Sequence, residues 1–311
     1  MNIAVMGGTS HIAANLVVRF AARPGCRIVL FCRDKERAER FLRRYAPGAD
    51  AAAVEGYASF GAERFDAIID CIGAGTPGAP GFSPVNWFDT LQKFDDLALD
   101  YLRNNPRTML IGFSSGAVYG TDAPGPFGDG NVYTFPVNAM RTEDLYAASR
   151  IYAEAKHRAH GELRIADLRI FSFYSRFISP DAGYFMSDVL KALLRREELI
   201  TSPGDMVRDY IAPDDLFSLV CACLAQERFN AAVDVRSLRP AGKSEILEKF
   251  GERFGLRWRS GGVAASPNGE KSVYCSGRAY PEQLGFRPRF TALEGLIAET
   301  EKRLSDGEDI S

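Results

Sequence analysis

Apolar positions in the first half of the chain form short, β-branched runs that alternate with stretches of helical periodicity. Residues 2–5, 27–31, 66–72, 108–113 and 163–171 read as strands. Between them, residues 11–22, the highly charged 34–45, 85–104 and 143–160 read as helices. The strands lack the polar alternation of a sheet with one wet face, so both faces are expected to be covered. Short apolar strands alternating with helices are the pattern of a parallel sheet sandwiched between helices.

After about Ser172 the rhythm loosens, with breaks at Ser179-Pro180, Ser202-Pro203-Gly204, Arg239-Pro240 and Ser260-Gly261-Gly262. Amphipathic helices are predicted near 243–254 and 291–303. The expected fold is therefore α/β: a Rossmann-type doubly wound parallel sheet with a smaller C-terminal substrate lobe. Residues 1–171 are expected to form the sheet domain and 172–311 mostly the smaller lobe, with 209–225 returning to the first domain. An open sheet of this kind binds ligands at the carboxyl ends of its strands.

Composition narrows the function. With 311 residues, 46% apolar and 25% charged, the chain is expected to bury a large core. A formal charge of −2 offers no basic field for nucleic acid or an anionic membrane. No apolar run reaches the roughly 20 residues of a membrane span, and the start, MNIAVMGG, has no signal-peptide pattern. A cytoplasmic protein is expected. Cys26, Cys32, Cys71, Cys221, Cys223 and Cys275 lack zinc-ligand spacing and read as core filling in a reducing compartment. His11, His157 and His160 suggest no metal and read as surface or capping residues, while Trp87 and Trp258 read as packing residues.

Gly7-Gly8-Thr9-Ser10-His11-Ile12-Ala13 lies between the first strand and the first helix. There a dinucleotide pyrophosphate rests on free amides, with Ser10 and Ala13 standing where Gly is usual. The second strand ends Cys32-Arg33-Asp34, with no carboxylate at the usual ribose position. Arg33 there suits a 2′-phosphate, hence NADP(H) over NAD(H). The alternative leaves Arg33 on a solvated turn and gives the ribose to Asp34. Ile72 and Gly73, ending another strand, are further cofactor-binding candidates.

The 108–120 segment ends a strand in Ser114-Ser115. Downstream, the helix around 143–160 carries two tyrosines with a cation four residues later: Tyr146 with Arg150, and Tyr152 with Lys156. A nearby cation favours the phenolate, so such a tyrosine can pass a proton as hydride moves. Six residues correspond to about 600° of helix, so only one tyrosine can face a cofactor.

SSGAVYG, Asn86 and Thr90 of NWFDT, YAASRIYAE, Leu168-Arg169-Ile170-Phe171, VRDYIAPDDL at 207–216 and LGFRPRFTALEGL occur in that order along the chain. Together they resemble the extended short-chain dehydrogenase/reductase family, the nucleotide-sugar epimerases, dehydratases and reductases. The resemblance implies Ser115 and Tyr146 as catalytic residues, with Arg150 replacing the usual Lys. It also implies Arg208 as a grip on a substrate diphosphate. Ser172 and Ser175 replace an Asn and a Gly that shape the substrate cleft, and 122–141 is implied to be a lid or cleft wall. A homodimer built on helices 85–104 and 143–160 is implied as well, with Leu91, Phe94, Leu97 and Tyr101 as its apolar face. The expected function is NADP(H)-dependent oxidoreduction of a nucleotide-activated deoxy- or 4-keto-sugar. An NAD-recycling epimerase or dehydratase, and a non-catalytic dinucleotide sensor, are the alternatives.

Overall fold

The computed structural model describes residues 1–47, 52–73, 82–120, 125–262 and 272–306. Its central sheet is built from β1 (Asn2–Met6), β2 (Arg27–Phe31), β3 (Ala52–Glu55), β4 (Ala67–Asp70), β5 (Met109–Ser115) and β6 (Arg164–Ile170). Ile3, Ala4, Val5 and Met6 of β1 are all fully buried, which is why that run shows no polar alternation. Helices α1 (His11–Ala21), α2 (Lys35–Tyr45), α3 (Val85–Asn104) and α4 (Thr142–Ala159) connect the strands. The element ends differ from the expected ones by a residue or two, within ordinary fraying. Two strands of the central sheet were not foreseen: β3, because AAVE is short and only half-buried, and the edge strand at Asn230–Val235, which lies just past the expected 209–225 return.

Beyond β6 come β7 (Ser172–Phe173), α5 (Phe185–Arg195), β8 (Leu199–Thr201), β9 (Val207–Arg208) and β10 (Tyr210–Ile211). Helix α6 (Pro213–Leu224) and β11 (Asn230–Val235) follow. The chain then forms β12 (Ala241–Gly242), α7 (Lys243–Phe254), β13 (Trp258–Ser260), β14 (Val273–Tyr274) and α8 (Ala292–Ser305). The seven-stranded sheet runs β11-β6-β5-β4-β1-β2-β3, with every pair parallel. Strand order reverses between β1 and β4, so the ligand crevice of such a sheet opens at their carboxyl ends.

The buried core divides by face. Leu16, Val17 and Phe20 of α1 pack with Leu216, Leu219 and Val220 of α6 on one side of the sheet. Ala98, Leu99 and Leu102 of α3 cover Ile68 and Leu110 on the other. A separate cluster joins α5, α7 and α8 through Val189, Leu190, Ile246, Phe250 and Leu296. Phe94, Leu97 and Tyr101 pack inward on the α3 cluster, and the Tyr101 hydroxyl accepts the Phe65 amide at 2.7 Å. They are part of the chain's own core rather than the outward face expected of them. Trp258, also expected to pack, is 43% exposed on β13. All six cysteines are free thiols, and five are buried.

Several motif residues serve this scaffold. Glu154 on α4 takes three bonds from Arg169 on β6, at 2.6–3.1 Å, and one from the Ser114 hydroxyl at 2.6 Å. Arg169 also reaches Asp234 of β11 at 3.2 Å. These bonds tie β5, β6, β11 and α4 together. Asp209 takes the Ser237 amide and hydroxyl, and Asp215 takes the amides of Arg289 and Phe290. Ser175 accepts a bond from Asn15 of α1 at 2.6 Å, so this hydroxyl is a tie between segments.

Candidate active site

At the end of β1 the chain turns through Gly7, whose φ is +68°. A Cβ there would lie 2.8–2.9 Å from the Cys71 and Ile72 backbone, so only Gly lets β1 and β4 close this corner. Ser10 caps α1, its hydroxyl accepting the Ala13 amide at 3.2 Å. The amides of Thr9, His11 and Ile12 have no acceptor among the described residues. The His11 ring packs 4.8 Å from Phe173, and burial pushes its imidazole down to about 4. Its Nε2 is buried without a partner. Free amides at a helix start, with an orphaned ring nitrogen beside them, fit the pyrophosphate side of a dinucleotide.

The far wall of this corner holds a residue that the sequence pattern did not flag. The Tyr57 hydroxyl accepts the Gly7 amide at 2.9 Å and donates to the Phe31 carbonyl at 3.0 Å. Burial pushes this phenol up to about 12. Cys32 is buried, Arg33 is exposed, and Asp34 caps α2 by accepting the Arg37 amide at 2.9 Å. Ile72 donates its amide to Asp70, and Gly73 stands in open space.

Ser115 ends β5 beside the next turn. Its hydroxyl accepts the Ala117 amide at 3.1 Å and lies 3.3 Å from the Tyr274 hydroxyl. Tyr146 lies near the start of α4, with its ring centroid 5.0 Å from that of Trp87. The Arg150 guanidinium stacks over the Tyr146 ring at 5.2 Å and donates to the Phe113 carbonyl at 3.1 Å. Burial pushes the Tyr274 phenol up, and the charge of a Tyr146 phenolate would push the same way.

The second tyrosine pair goes elsewhere. Tyr152 is 49% exposed, while Lys156 binds Asp95 at 2.7 Å and also binds Asp96. Arg208 is half-buried on β9, directly paired with Tyr274 on β14, and burial pushes its guanidinium down. Ser172 pairs with Tyr210 at the β7–β10 junction. The structure thus stacks Arg150 on Tyr146 and ties it to β5, sets Ser115 beside Tyr274, and pairs Arg208 with Tyr274 in strand register. Tyr274 was missed because it sits in a two-residue strand with no periodicity to announce it. Phe127, from the described part of the expected lid, buries its ring against Tyr119, Phe171 and Tyr274.

His157 corrects a reading made from the sequence. It is buried, with Nε2 at 2.5 Å from Asp95 and Nδ1 at 2.8 and 3.0 Å from the two oxygens of Asp167. A histidine on a charged helix looked like surface, but α3 and β6 each present a carboxylate to it.

Solved structures share the whole architecture. A UDP-glucose-4-epimerase from Stenotrophomonas maltophila, with bound NAD and formylated UDP-arabinopyranose, superimposes with a TM-score of 0.79 at 19% identity, covering 98% of each chain. The UDP-glucuronic acid 4-epimerase of Bacillus cereus, in complex with UDP-glucuronic acid and NAD, gives 0.77 at 16% identity, covering 99% of this chain and 100% of that one. The dTDP-glucose 4,6-dehydratase of Bacillus anthracis, in complex with NAD, gives 0.75 at 15% identity, covering 100% and 98%. No curated protein matches the chain by sequence. The model of the NAD dependent epimerase/dehydratase family matches residues 3–234, across the glycine turn, the serine strand and the tyrosine helix. The chain belongs to that family and is an enzyme of the extended short-chain dehydrogenase/reductase type.

Proposed function

We propose that this enzyme is an NADP(H)-dependent oxidoreductase acting at C4 of a nucleotide-activated deoxy- or 4-keto-sugar. The observation that carries the reading is the Arg150 guanidinium stacked 5.2 Å over the Tyr146 ring and bonded to the Phe113 carbonyl of β5, the strand that ends in Ser115. Ser115 holds the sugar oxygen by a hydrogen bond. Tyr146 gives that oxygen a proton in reduction, or takes one in oxidation. Arg150 contributes a fixed positive charge that favours the phenolate, and its planar fork replaces the point charge of a Lys. Arg208, half-buried beside Tyr274, binds the diphosphate, where a guanidinium is strongest. Ser172 lies at the base of the substrate side.

The bound dinucleotide would supply the nicotinamide carbon that takes or gives the hydride. Gly7, Thr9, Ser10, His11 and Ile12 would hold its pyrophosphate, and Ile72 and Gly73 would flank it. Arg33 would meet a 2′-phosphate, with uncharged Cys32 where a repelling carboxylate is usual and Asp34 spent on its helix cap. A recycled NAD, as in an epimerase or dehydratase, is the second reading, favoured by the NAD in the solved relatives. A homodimer would use what α3 and α4 still turn outward, including Phe88, Leu91 and Tyr152. Free thiols throughout suit a reducing, cytoplasmic setting.

The test mixes the purified chain with NADPH or NADH and a panel of 4-keto and 4-hydroxy nucleotide-sugars, and follows nicotinamide absorbance. NADPH consumption with one member, slowed roughly 10²–10⁴-fold by Tyr146→Phe, is expected. Sugar conversion with no net change in absorbance would favour the recycling reading. Dinucleotide binding without turnover of any sugar, and with affinity unchanged by Tyr146→Phe, would refute catalysis and leave a sensor.

A further inference from the structure

Below Tyr146 and Arg150, between α3, α4 and the ends of β4 and β5, lies a cavity of about 50 Å³. Its walls include Asp70, Asp95, Gly112, Ser114, Arg150 and His157. Gly112, opposite Asp70 in the β4–β5 register, adds no side chain to it, and a Cβ there would come within 3.0 Å of Asp167. A water needs roughly 10–15 Å³ of such volume, so a few waters fit.

Most charged groups on these walls are matched. Asp95 takes His157 and Lys156, and Asp167 takes His157 and Arg158. Glu154 takes Arg169. Two groups stand apart. Arg150 donates only through Nη1, and its Nε is buried with no acceptor. Asp70 receives only the Ile72 amide, at 2.9 Å, and no cation lies within ion-pair distance of it among the described residues. A buried donor without a partner is destabilising, so an orphaned donor and an under-used acceptor on one water-sized cavity call for a bridge.

We infer that Asp70 is a positioning residue of the reaction centre, holding the Nε edge of Arg150 through water in this cavity and so setting how strongly the guanidinium bears on Tyr146. The inference rests on Tyr146 being the proton-transferring phenol proposed above. Arg150 cannot lose its proton. Asp70 can gain one. Burial pushes its carboxyl up to about 6, Asp95 from α3 adds to this, and Arg150 and His157 from α4 oppose it. On the neighbouring strands the facing residues, Met6 and Gly112, carry no charge. Ionised Asp70 draws part of the Arg150 field to itself, and neutral Asp70 leaves that field to the phenol.

The test is a tyrosinate absorbance titration of the full chain, with the Tyr146 component isolated by subtracting Tyr146→Phe. Asp70→Asn should raise the Tyr146 tyrosinate signal roughly tenfold at a fixed alkaline pH, the equivalent of one charge interaction of moderate strength. Asp70→Glu should return it towards the parent value. In an Arg150→Met background the Asp70→Asn effect should vanish, because it acts through the guanidinium. If Asp70→Asn misfolds by circular dichroism, Asp70→Ser takes its place with the same expectation. An unchanged Tyr146 signal, or an equal rise without Arg150, overturns the inference. Because no sugar or cofactor enters this measurement, a predicted rise alongside absent turnover would overturn the functional reading alone.

Discussion

Replacing His157 with Gln tests whether the buried carboxylates of α3 and β6 depend on one imidazolium. Burial pushes the imidazole down, but the hydrogen bonds it donates to Asp167 and Asp95, together with their charges, outweigh it and hold the group at about 10. The unfolded chain titrates near 6.5. A folded value raised above the unfolded one contributes stability that is complete below pH 6.5 and is lost as pH climbs through 10. At 1.36 kcal/mol per unit the linkage is on the order of 3–5 kcal/mol at neutral pH. The cost of removing one partner of a buried pair is similar, about 3–5 kcal/mol. Scaled to a chain of this length, the loss is roughly 5–8 °C in Tm. Lys156 and Arg158 keep Asp95 and Asp167 partly compensated, so the variant should still fold. Urea midpoints and Tm would be followed for both proteins from about pH 7 to about pH 10.5. Both proteins should lose stability across that window as the buried thiols begin to favour the unfolded, ionised state, and the parent should lose it more steeply than His157→Gln, closing the gap between them. A gap that stays constant with pH, or no gap at neutral pH, would refute the imidazolium.

The remaining predictions concern the cofactor corner. Gly7→Ala forces a side chain into a left-handed backbone at φ +68° and against the Cys71–Ile72 backbone at 2.8–2.9 Å. Strain of roughly 1–3 kcal/mol should displace the turn and weaken NADPH binding at least tenfold in a fluorescence titration, and unaltered binding would contradict the assigned corner. Arg33→Ser should weaken NADPH roughly tenfold or more while sparing NADH. Equal losses for both dinucleotides would defeat the 2′-phosphate assignment.

How legible the site was depended on whether a residue's role was local. The strand–turn–helix around Gly7 and the serine strand could be located, because a burial pattern and a small-residue turn are written into contiguous positions. Tyr146 and Arg150 were visible as one face of a helix, but choosing them over Tyr152 and Lys156 needed the family resemblance. In the structure Lys156 pairs with Asp95 and Asp96. Tyr57, Tyr274 and Asp70 were invisible, since the partners of the two tyrosines lie 26 or more residues away and Asp70 lines a cavity that no local pattern encodes.

The sequence by itself determined the alternation of strands and helices in the first half, the parallel covered sheet and the glycine turn between its first strand and first helix. These follow from periodicity and from backbone conformations that only certain residues adopt. Tertiary structure alone decided that Phe94, Leu97 and Tyr101 face inward, that His157 is clamped between two carboxylates, and that Tyr274 from the far end of the chain reaches Ser115. Burial and charge pairing depend on which elements pack together, and that choice is made by the whole core at once rather than by any segment within it.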